Sequence, residues 1–177
     1  MNNTIAVEAY NPVWPTLFEE EKARIVALIG PYLEDMQHVG STAVAGLAAK
    51  PIIDILAGVH SLDNVPHCVG PLESLGYEYL GEYGIPKRHY FRKPALPITQ
   101  QPRTHHIHMV ERGHWEGEKL LLFRDYLRAH PETAEEYARL KHNLAVRYRD
   151  NREAYTDGKT DFVRSVLAKA RRDARGG

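Results

Sequence analysis

Residues 38–56, "HVGSTAVAGLAAKPIIDIL", decide the fold, because a first strand ends there at a Gly-Ser-Thr turn and a second strand follows. The second strand, residues 51–59, has no charged or polar side chain except Asp54. An ionised carboxylate that leaves water costs several kcal/mol unless a partner or a metal compensates for it. Asp54 is therefore predicted to have a specific partner.

The flanking sequence predicts an α+β fold with a sheet of about five strands. Apolar residues at helical spacing predict one helix over Pro15–Ile29 and another over Ser61–Leu75. Three further strand candidates are "YEYLGEY", "RHYFRKP" and "THHIHMVE", and the pattern beyond Trp115 is helical. We expect three C-terminal helices to pack against the sheet.

The length of 177 residues is typical of a single domain, here residues 1–177. Residues 1–112 are expected to form an α/β core and residues 113–172 a C-terminal helical part. The polar, proline-rich segment "PALPITQQPR" is expected to link two strands, and residues 173–177 to form a disordered tail.

The composition disfavours two classes of partner. Lys plus Arg equals Asp plus Glu at 23 each, so the whole molecule has no field to attract bulk nucleic acid or an anionic membrane. The single cysteine excludes an internal disulfide. No apolar run approaches the roughly 20 residues of a membrane span, and the N-terminus does not resemble a signal peptide. We expect a cytoplasmic protein whose partner is a small phosphorylated molecule or a nucleotide, and the sequence names no protein partner.

The turn of Gly40, Ser41 and Thr42 is a candidate anion site. A Gly-Ser pair at the end of a strand leaves backbone N–H groups and a hydroxyl available for a phosphate. Gly-Ser also forms ordinary turns, so the turn alone is weak support. Its position just before the strand that holds Asp54 favours a phosphate cradle next to a carboxylate.

At this point the sequence resembles a known family. The stretch "HVGSTAVAGLAAKPIIDI", with "FRDYLRAHPETAEEYARLKHNLA" and "YTDGKTDF" downstream, is similar to the GrpB family, which is related to the nucleotidyltransferase fold superfamily. The resemblance implies a nucleotidyltransferase-like mixed sheet flanked by helices. It also implies that Gly40, Ser41 and Thr42 bind nucleotide phosphates, and that Ser41 and Asp54 are catalytic. In that superfamily a strand with two acidic residues holds a divalent metal, Mg²⁺ or Mn²⁺.

The sequence departs from the superfamily pattern at Leu56. Side chains two apart on a strand face the same side, so Leu56 stands where a second carboxylate would share a metal with Asp54. One carboxylate with phosphates and waters is a minimal shell for magnesium.

Two histidines of "THHIHMVE" could complete a different metal set. His106 and His108 share one strand face, and with Asp54 they would form a two-histidine, one-carboxylate set suited to manganese, iron, zinc or nickel. Alternatively, these histidines form a polar network with Asp54 or bind a phosphate directly. His38 is assigned to such a network.

Basic residues complete the candidate site. Lys50 precedes the Asp54 strand, and Arg88 lies in the phrase "KRHYFRKP". In the C-terminal helices, Lys141 and Lys159 each fall on an apolar stripe, four residues after a tyrosine. We expect these four cations to bind a polyphosphate, although a lysine on such a stripe also commonly extends to water.

The sequence therefore leaves three functions open. The first is transfer of a nucleotidyl group from a nucleoside triphosphate substrate to an unknown acceptor, with a divalent metal. The second is a binding module for a nucleotide or phosphorylated metabolite that has lost turnover, as Leu56 favours. The third is a transition-metal hydrolase that uses Asp54, His106 and His108.

Overall fold

The computed structural model describes residues 5–95 and 102–176, and it confirms the α+β prediction. The described strands form one sheet and are β1 (Leu33–Val39), β2 (Ile53–Val59), β3 (Glu78–Tyr79), β4 (His89–Lys93) and β5 (His105–Glu111). The described α-helices are α1 (Trp14–Ile29), α2 (Val65–Ser74), α3 (Trp115–Ala129), α4 (Pro131–Arg147), α5 (Arg152–Asp157) and α6 (Thr160–Gly176).

The sheet is mixed, with the order β1-β2-β5-β4-β3. The central strands β2 and β5 are parallel, and every other neighbouring pair is antiparallel. Val39 at the end of β1 pairs with Asp54 near the start of β2, and Asp54 pairs in turn with His106 on β5. The three strands that contain the predicted turn, carboxylate and histidines are therefore adjacent.

Alternation along the central strands gives the sheet two different faces. One face holds Ile53, Ile55 and Ile107, which are buried in a core formed with side chains of α1 and α2. The opposite face holds Asp54, and farther along β2 it becomes apolar, where Leu56 packs with side chains of α3. The polar part of this second face is covered by the C-terminal helices, as the cavity described below shows.

A buried carboxylate fixes α1 to the sheet. Glu21 is only 1% exposed, and its Oε1 accepts hydrogen bonds from the Tyr77 hydroxyl and the Lys93 ammonium, each at 2.9 Å. Arg24 donates to the other oxygen at 3.0 Å. The sequence does not mark Glu21 as buried, because it lies in a run of four charged residues that resembles a solvated helix face.

The structure differs from the sequence prediction in four places. The strand predicted over "YEYLGEY" is limited to Glu78–Tyr79, because the chain turns from Gly81 onward. The second helix begins at Val65, because Ser61 caps a separate 3-10 turn by accepting a hydrogen bond from the Asp63 amide. The C-terminal part has four helices rather than three, since the Asn151 side chain accepts from the Ala154 amide and starts α5. The expected tail continues α6 as far as Gly176. Residues 96–101 of the expected link, and residue 177, lie outside the described residues.

Within residues 5–95 and 102–176, no helix is both long enough and apolar enough to cross a lipid bilayer.

Replacing Glu21 tests the buried ion pair. Glu21→Ala leaves the Lys93 ammonium and the Tyr77 hydroxyl without their acceptor, and we expect it to lower the free energy of unfolding by about 3 kcal/mol or more. Glu135→Ala removes an exposed pair with Arg139 on α4 and should cost no more than about 0.5 kcal/mol. Urea denaturation of both variants makes the comparison. Losses of similar size would show that the Glu21 pair is not what holds α1.

Candidate functional site

The Gly-Ser-Thr turn lies directly against the Asp54 carboxylate. Gly40 has φ +74° and ψ −174°, a conformation open essentially to glycine alone. A Cβ added to Gly40 would lie 2.7 Å from Oδ2 of Asp54, a separation that real Cβ atoms do not adopt. Both the backbone angle and this close approach therefore require glycine at position 40.

Two histidines form hydrogen bonds with the Asp54 carboxylate. Oδ1 of Asp54 faces Nδ1 of His106 at 3.1 Å and Nε2 of His108 at 3.5 Å. Burial alone would raise the pKa of Asp54, but hydrogen bonds from His106 and His108 outweigh burial and hold that pKa well below its usual range. Asp54 is therefore ionised, and its negative charge is already partnered by imidazole N–H groups.

His38 belongs to the opposite face of the sheet, where it bonds to Thr42 and not, as predicted, to a network with Asp54 and the other two histidines. Its ring stacks on Phe18 with centroids 4.9 Å apart, and its Nε2 lies 2.9 Å from Oγ1 of Thr42. The Thr42 hydroxyl donates to the Ile52 carbonyl at 3.0 Å, so it accepts from His38. Burial, helped by nearby Arg128 and Arg124, lowers the pKa of His38 to about 4. A neutral His38 thus fixes the turn rather than binding a ligand.

A cavity of about 330 Å³ lies between the polar face of the sheet and the C-terminal helices. Its lining includes most of the predicted site: Ser41, Thr42, Lys50, Asp54, His106, His108, Lys141 and Lys159. The remaining lining residues are Ile5, Ile52, Tyr137, Arg152, Tyr155 and Thr156. The turn, the carboxylate, the histidines and three predicted lysines therefore share one cavity.

Lys141 on α4 and Lys159, between α5 and α6, reach this cavity in the same way. Each lies over the ring of the tyrosine one turn earlier: Lys141 Nζ is 4.6 Å from the Tyr137 centroid, and Lys159 Nζ is 4.5 Å from that of Tyr155. Lys141 Nζ also donates to the Ala48 carbonyl. Cation–π contacts of this kind position an ammonium group where burial would otherwise disfavour it. The apolar stripe thus holds these lysines in place.

Burial and mutual repulsion disfavour the charged forms of the cavity lysines. Burial and the neighbouring Lys159 lower the pKa of Lys141 to about 7. Burial, with Arg152 and Lys159 nearby, lowers the pKa of Lys50 to about 8. Burial also lowers the pKa of Lys159, although the charge of Asp54 opposes this effect. The cations are close enough to repel one another, and the cavity without an anion is electrostatically unfavourable.

Arg88 does not reach the cavity. Its buried guanidinium donates to the carbonyls of Glu82 and Tyr83, at 3.1 and 3.0 Å, and lies 4.8 Å from the Tyr90 ring centroid. It therefore supports the loop between β3 and β4 instead of binding a ligand with these donors. Arg88 precedes the first residue of β4, His89, so strand alternation did not determine its direction.

Sequence reasoning missed Arg152, which replaces Arg88 as the guanidinium of the cavity. It also missed the site roles of Tyr137 and Tyr155, which were interpreted as members of an apolar stripe. The hydroxyl of Tyr137 lies beside that of Ser41. The repeated Tyr-x-x-x-Lys spacing could have indicated the tyrosines, but no local pattern distinguishes Arg152 from the other charged residues around it.

The donor set does not fit a resident metal ion. Among the described residues, no group of three or more His, Cys, Asp or Glu side chains is arranged to hold one. Asp54, His106 and His108 do meet, but as hydrogen-bonded partners in which both imidazoles face the carboxylate. Leu56 packs in an apolar cluster with Val39 and Val110, so no second carboxylate stands beside Asp54.

Comparison with known proteins gives the family. The model of the GrpB protein family matches residues 4–169. The chain belongs to the GrpB family. The UPF0157 protein YqkA of Bacillus subtilis is 41% identical over 172 residues, which cover 97% of this chain and 49% of YqkA. The chain thus spans about half the length of that relative.

A solved GrpB structure confirms the fold. The crystal structure of conserved protein GrpB from Enterococcus faecalis has a TM-score of 0.88 and 36% identity, and the match covers 96% of this chain and 99% of that chain. Dephospho-CoA kinase of Mycolicibacterium paratuberculosis is 28% identical over 181 residues, which cover 90% of this chain and 44% of the kinase. The match therefore covers less than half of that kinase's length.

Two glycine variants separate backbone strain from the contact with Asp54. Gly40→Ala introduces both, and we expect it to lower the free energy of unfolding by about 2 kcal/mol or more. Gly46 also has positive φ, +78°, but nothing lies within 4 Å of an added Cβ. Gly46→Ala should therefore cost only about 1 kcal/mol, the strain alone. Equal losses in urea denaturation would show that the approach to Asp54 is not required.

Proposed function

We propose that the cavity binds a small phosphorylated molecule of the nucleotide class through its phosphate groups. The observation that supports this proposal is the charge of the lining: Lys50, Lys141, Lys159 and Arg152 face a single carboxylate, Asp54, among the described residues. Asp54 carries one negative charge and the lining presents up to four positive charges, so Asp54 cannot balance them alone. An anion of several charges supplies what the cavity lacks.

The ligand contacts follow from the chemistry of the lining. Arg152 presents a guanidinium fork that can bind two phosphate oxygens at once, and the ammonium groups act as point charges. The hydroxyls of Ser41 and Tyr137 are neutral donors at the same site. A volume of about 330 Å³ is near the lower end for small-molecule sites, about 300–1,000 Å³. Such a cavity suits a phosphorylated group and part of its nucleoside.

The dephospho-CoA kinase match suggests which compounds to test. The name of that relative gives dephospho-CoA as its substrate, and the match covers 44% of its length. Dephospho-CoA and CoA therefore join the nucleoside diphosphates and triphosphates as candidate ligands. The charge of the cavity, rather than this match, is the basis of the proposal.

Nucleotidyl transfer is the second candidate, and the position of the turn favours it. Gly40 and Ser41 adjoin Asp54 at the edge of the cavity, as a phosphate cradle beside a carboxylate requires. Leu56 and the lack of a metal-binding group among the described residues count against it. Release of pyrophosphate from a nucleoside triphosphate, dependent on Mg²⁺ or Mn²⁺ and lost in Asp54→Asn, would favour transfer over binding.

Removing a cavity cation should weaken anion binding. Lys159→Gln deletes one ammonium group, and we expect it to weaken the binding of pyrophosphate, ATP or dephospho-CoA by about tenfold or more, the usual effect of losing a charged hydrogen bond. Isothermal titration calorimetry measures the affinity, and thermal shift gives an independent readout.

Lys87→Gln is the matched control for that experiment, because Lys87 is exposed and the cavity lining does not include it. It should bind as the unmodified protein does. The proposal fails if none of these compounds binds, or if the two lysine variants lose affinity equally.

Anion affinity should fall as pH rises. The pKa values of Lys141 and Lys50, about 7 and about 8, mean that both are protonated at pH 6 and largely neutral at pH 9. Because the anion binds the charged forms, affinity is highest at the acid end and decreases as each lysine loses its proton. Lys141→Gln should make the decrease between pH 6 and pH 9 smaller, because one of the two titrating lysines is gone. A constant affinity across this range in the unmodified protein contradicts the assignment of these lysines.

A further inference from the structure

The surroundings of Asp54 are unsuited to a second cation. Its Oδ1 accepts from both imidazoles, and its Oδ2 lies against Gly40, within 2.7 Å of where a Cβ would be. A metal at Asp54 would have to displace the imidazoles from Oδ1 or bind through Oδ2 alone. One carboxylate oxygen is a minimal protein contribution to the octahedral shell of magnesium.

The charges of the cavity lining also disfavour a bound metal ion. Sites that bind magnesium together with a nucleotide contribute one or two carboxylates, and this cavity contributes one, Asp54, beside three lysines and an arginine. A Mg²⁺ ion that enters with the ligand would add two positive charges beside Lys50, Lys159 and Arg152, with the ligand and Asp54 as the counter-charges. Like charges placed together cost several kcal/mol. The chain therefore presents cations at the place where metal sites present ligands.

The cations come from four separate parts of the chain. Lys50 precedes β2, Lys141 lies on α4, Arg152 begins α5, and Lys159 follows α5. Cations that approach from several sides can contact several oxygens of one polyphosphate group, as a metal ion does when it bridges neighbouring phosphates. Their tyrosine supports hold two of them in place in advance.

We propose that this cavity binds its polyphosphate ligand free of divalent metal, with the ammonium groups and the Arg152 guanidinium in the place that a metal ion takes in metal-dependent sites. This inference rests on the proposed function and names its ligand class: an anion with at least a diphosphate group, in the form not complexed to Mg²⁺. A monophosphate has too few oxygens and too little charge to engage cations on all sides. Magnesium then competes with the protein for the ligand, because it lowers the concentration of the free anion. The complex that it forms with the ligand also carries less negative charge.

Calorimetric titration of metal-stripped protein tests the inference. Pyrophosphate and ATP are each titrated in EDTA and again with Mg²⁺ in excess over the ligand, and inorganic phosphate is titrated for comparison. We expect both polyphosphates to bind in EDTA, more tightly than phosphate, and Mg²⁺ to weaken their affinity by about tenfold or more. Manganese(II) replaces magnesium in a second readout, in which the spin-resonance signal should show no more bound metal with protein and ligand than with ligand alone.

A variant adds a test that a purely structural effect would not pass. In Lys159→Gln the missing positive charge lies near Asp54, so the Mg²⁺ complex is less unfavourable there, and Mg²⁺ should weaken binding less than it does in the unmodified protein. Lys87→Gln should keep the full effect of Mg²⁺, because it leaves the cavity charge intact.

The two proposals fail differently. Binding that requires Mg²⁺, or that Mg²⁺ strengthens, overturns the metal-free inference but leaves the anion-binding function standing. Binding of phosphate as tight as that of the polyphosphates overturns the diphosphate requirement. An absence of binding to any of these anions, with or without Mg²⁺, overturns the proposed function and the inference together.

Discussion

The hydrogen bonds between the Asp54 carboxylate and two imidazoles are the constraint on which the rest of the structure depends. A charge near the middle of a sheet must be partnered, and its partners here are on the neighbouring strand β5. On the other side, Gly40 at the end of β1 fits against the same carboxylate because it has no side chain. The pairing of Val39 with Asp54 and of Asp54 with His106 satisfies both requirements at once. A shift of one residue between β2 and β5 would leave the charge unpartnered, and a shift between β1 and β2 would place a residue with a side chain against it.

This register also explains why the two faces of the sheet differ. The residues on either side of Asp54 in β2 are Ile53 and Ile55, and they belong to the core with α1 and α2. Asp54 faces the opposite way together with His106 and His108, where a continuous apolar layer cannot cover them. The C-terminal helices accordingly pack through apolar contacts around this region, such as Leu56 with α3, and leave a cavity over the charged part.

The sequence predicts this site to the extent that the site depends on local pattern. Strand alternation correctly places Asp54, His106 and His108 on one face, and helical spacing correctly turns Lys141 inward. Lys159 also reaches the cavity, but from the junction between α5 and α6 rather than from the predicted helix. Arg88 and Arg152 show where this reasoning ends, because each depends on how a loop or a short helix packs. The guanidinium of Arg88 donates to two loop carbonyls. Arg152 reaches the cavity only because Asn151 starts a new helix there.

The lysines of α4 and of the α5–α6 junction have a consequence for how the molecule holds together. They come from the last third of the sequence, while Lys50 and the turn come from the first third, so the surface along which the two parts meet contains like charges on both sides. Those charges repel one another across this surface, while apolar contacts stabilise the packing of the helical layer on the sheet. The proposed anion would act as a counterion between the two parts, and its binding would therefore raise the free energy needed to separate the helical layer from the sheet.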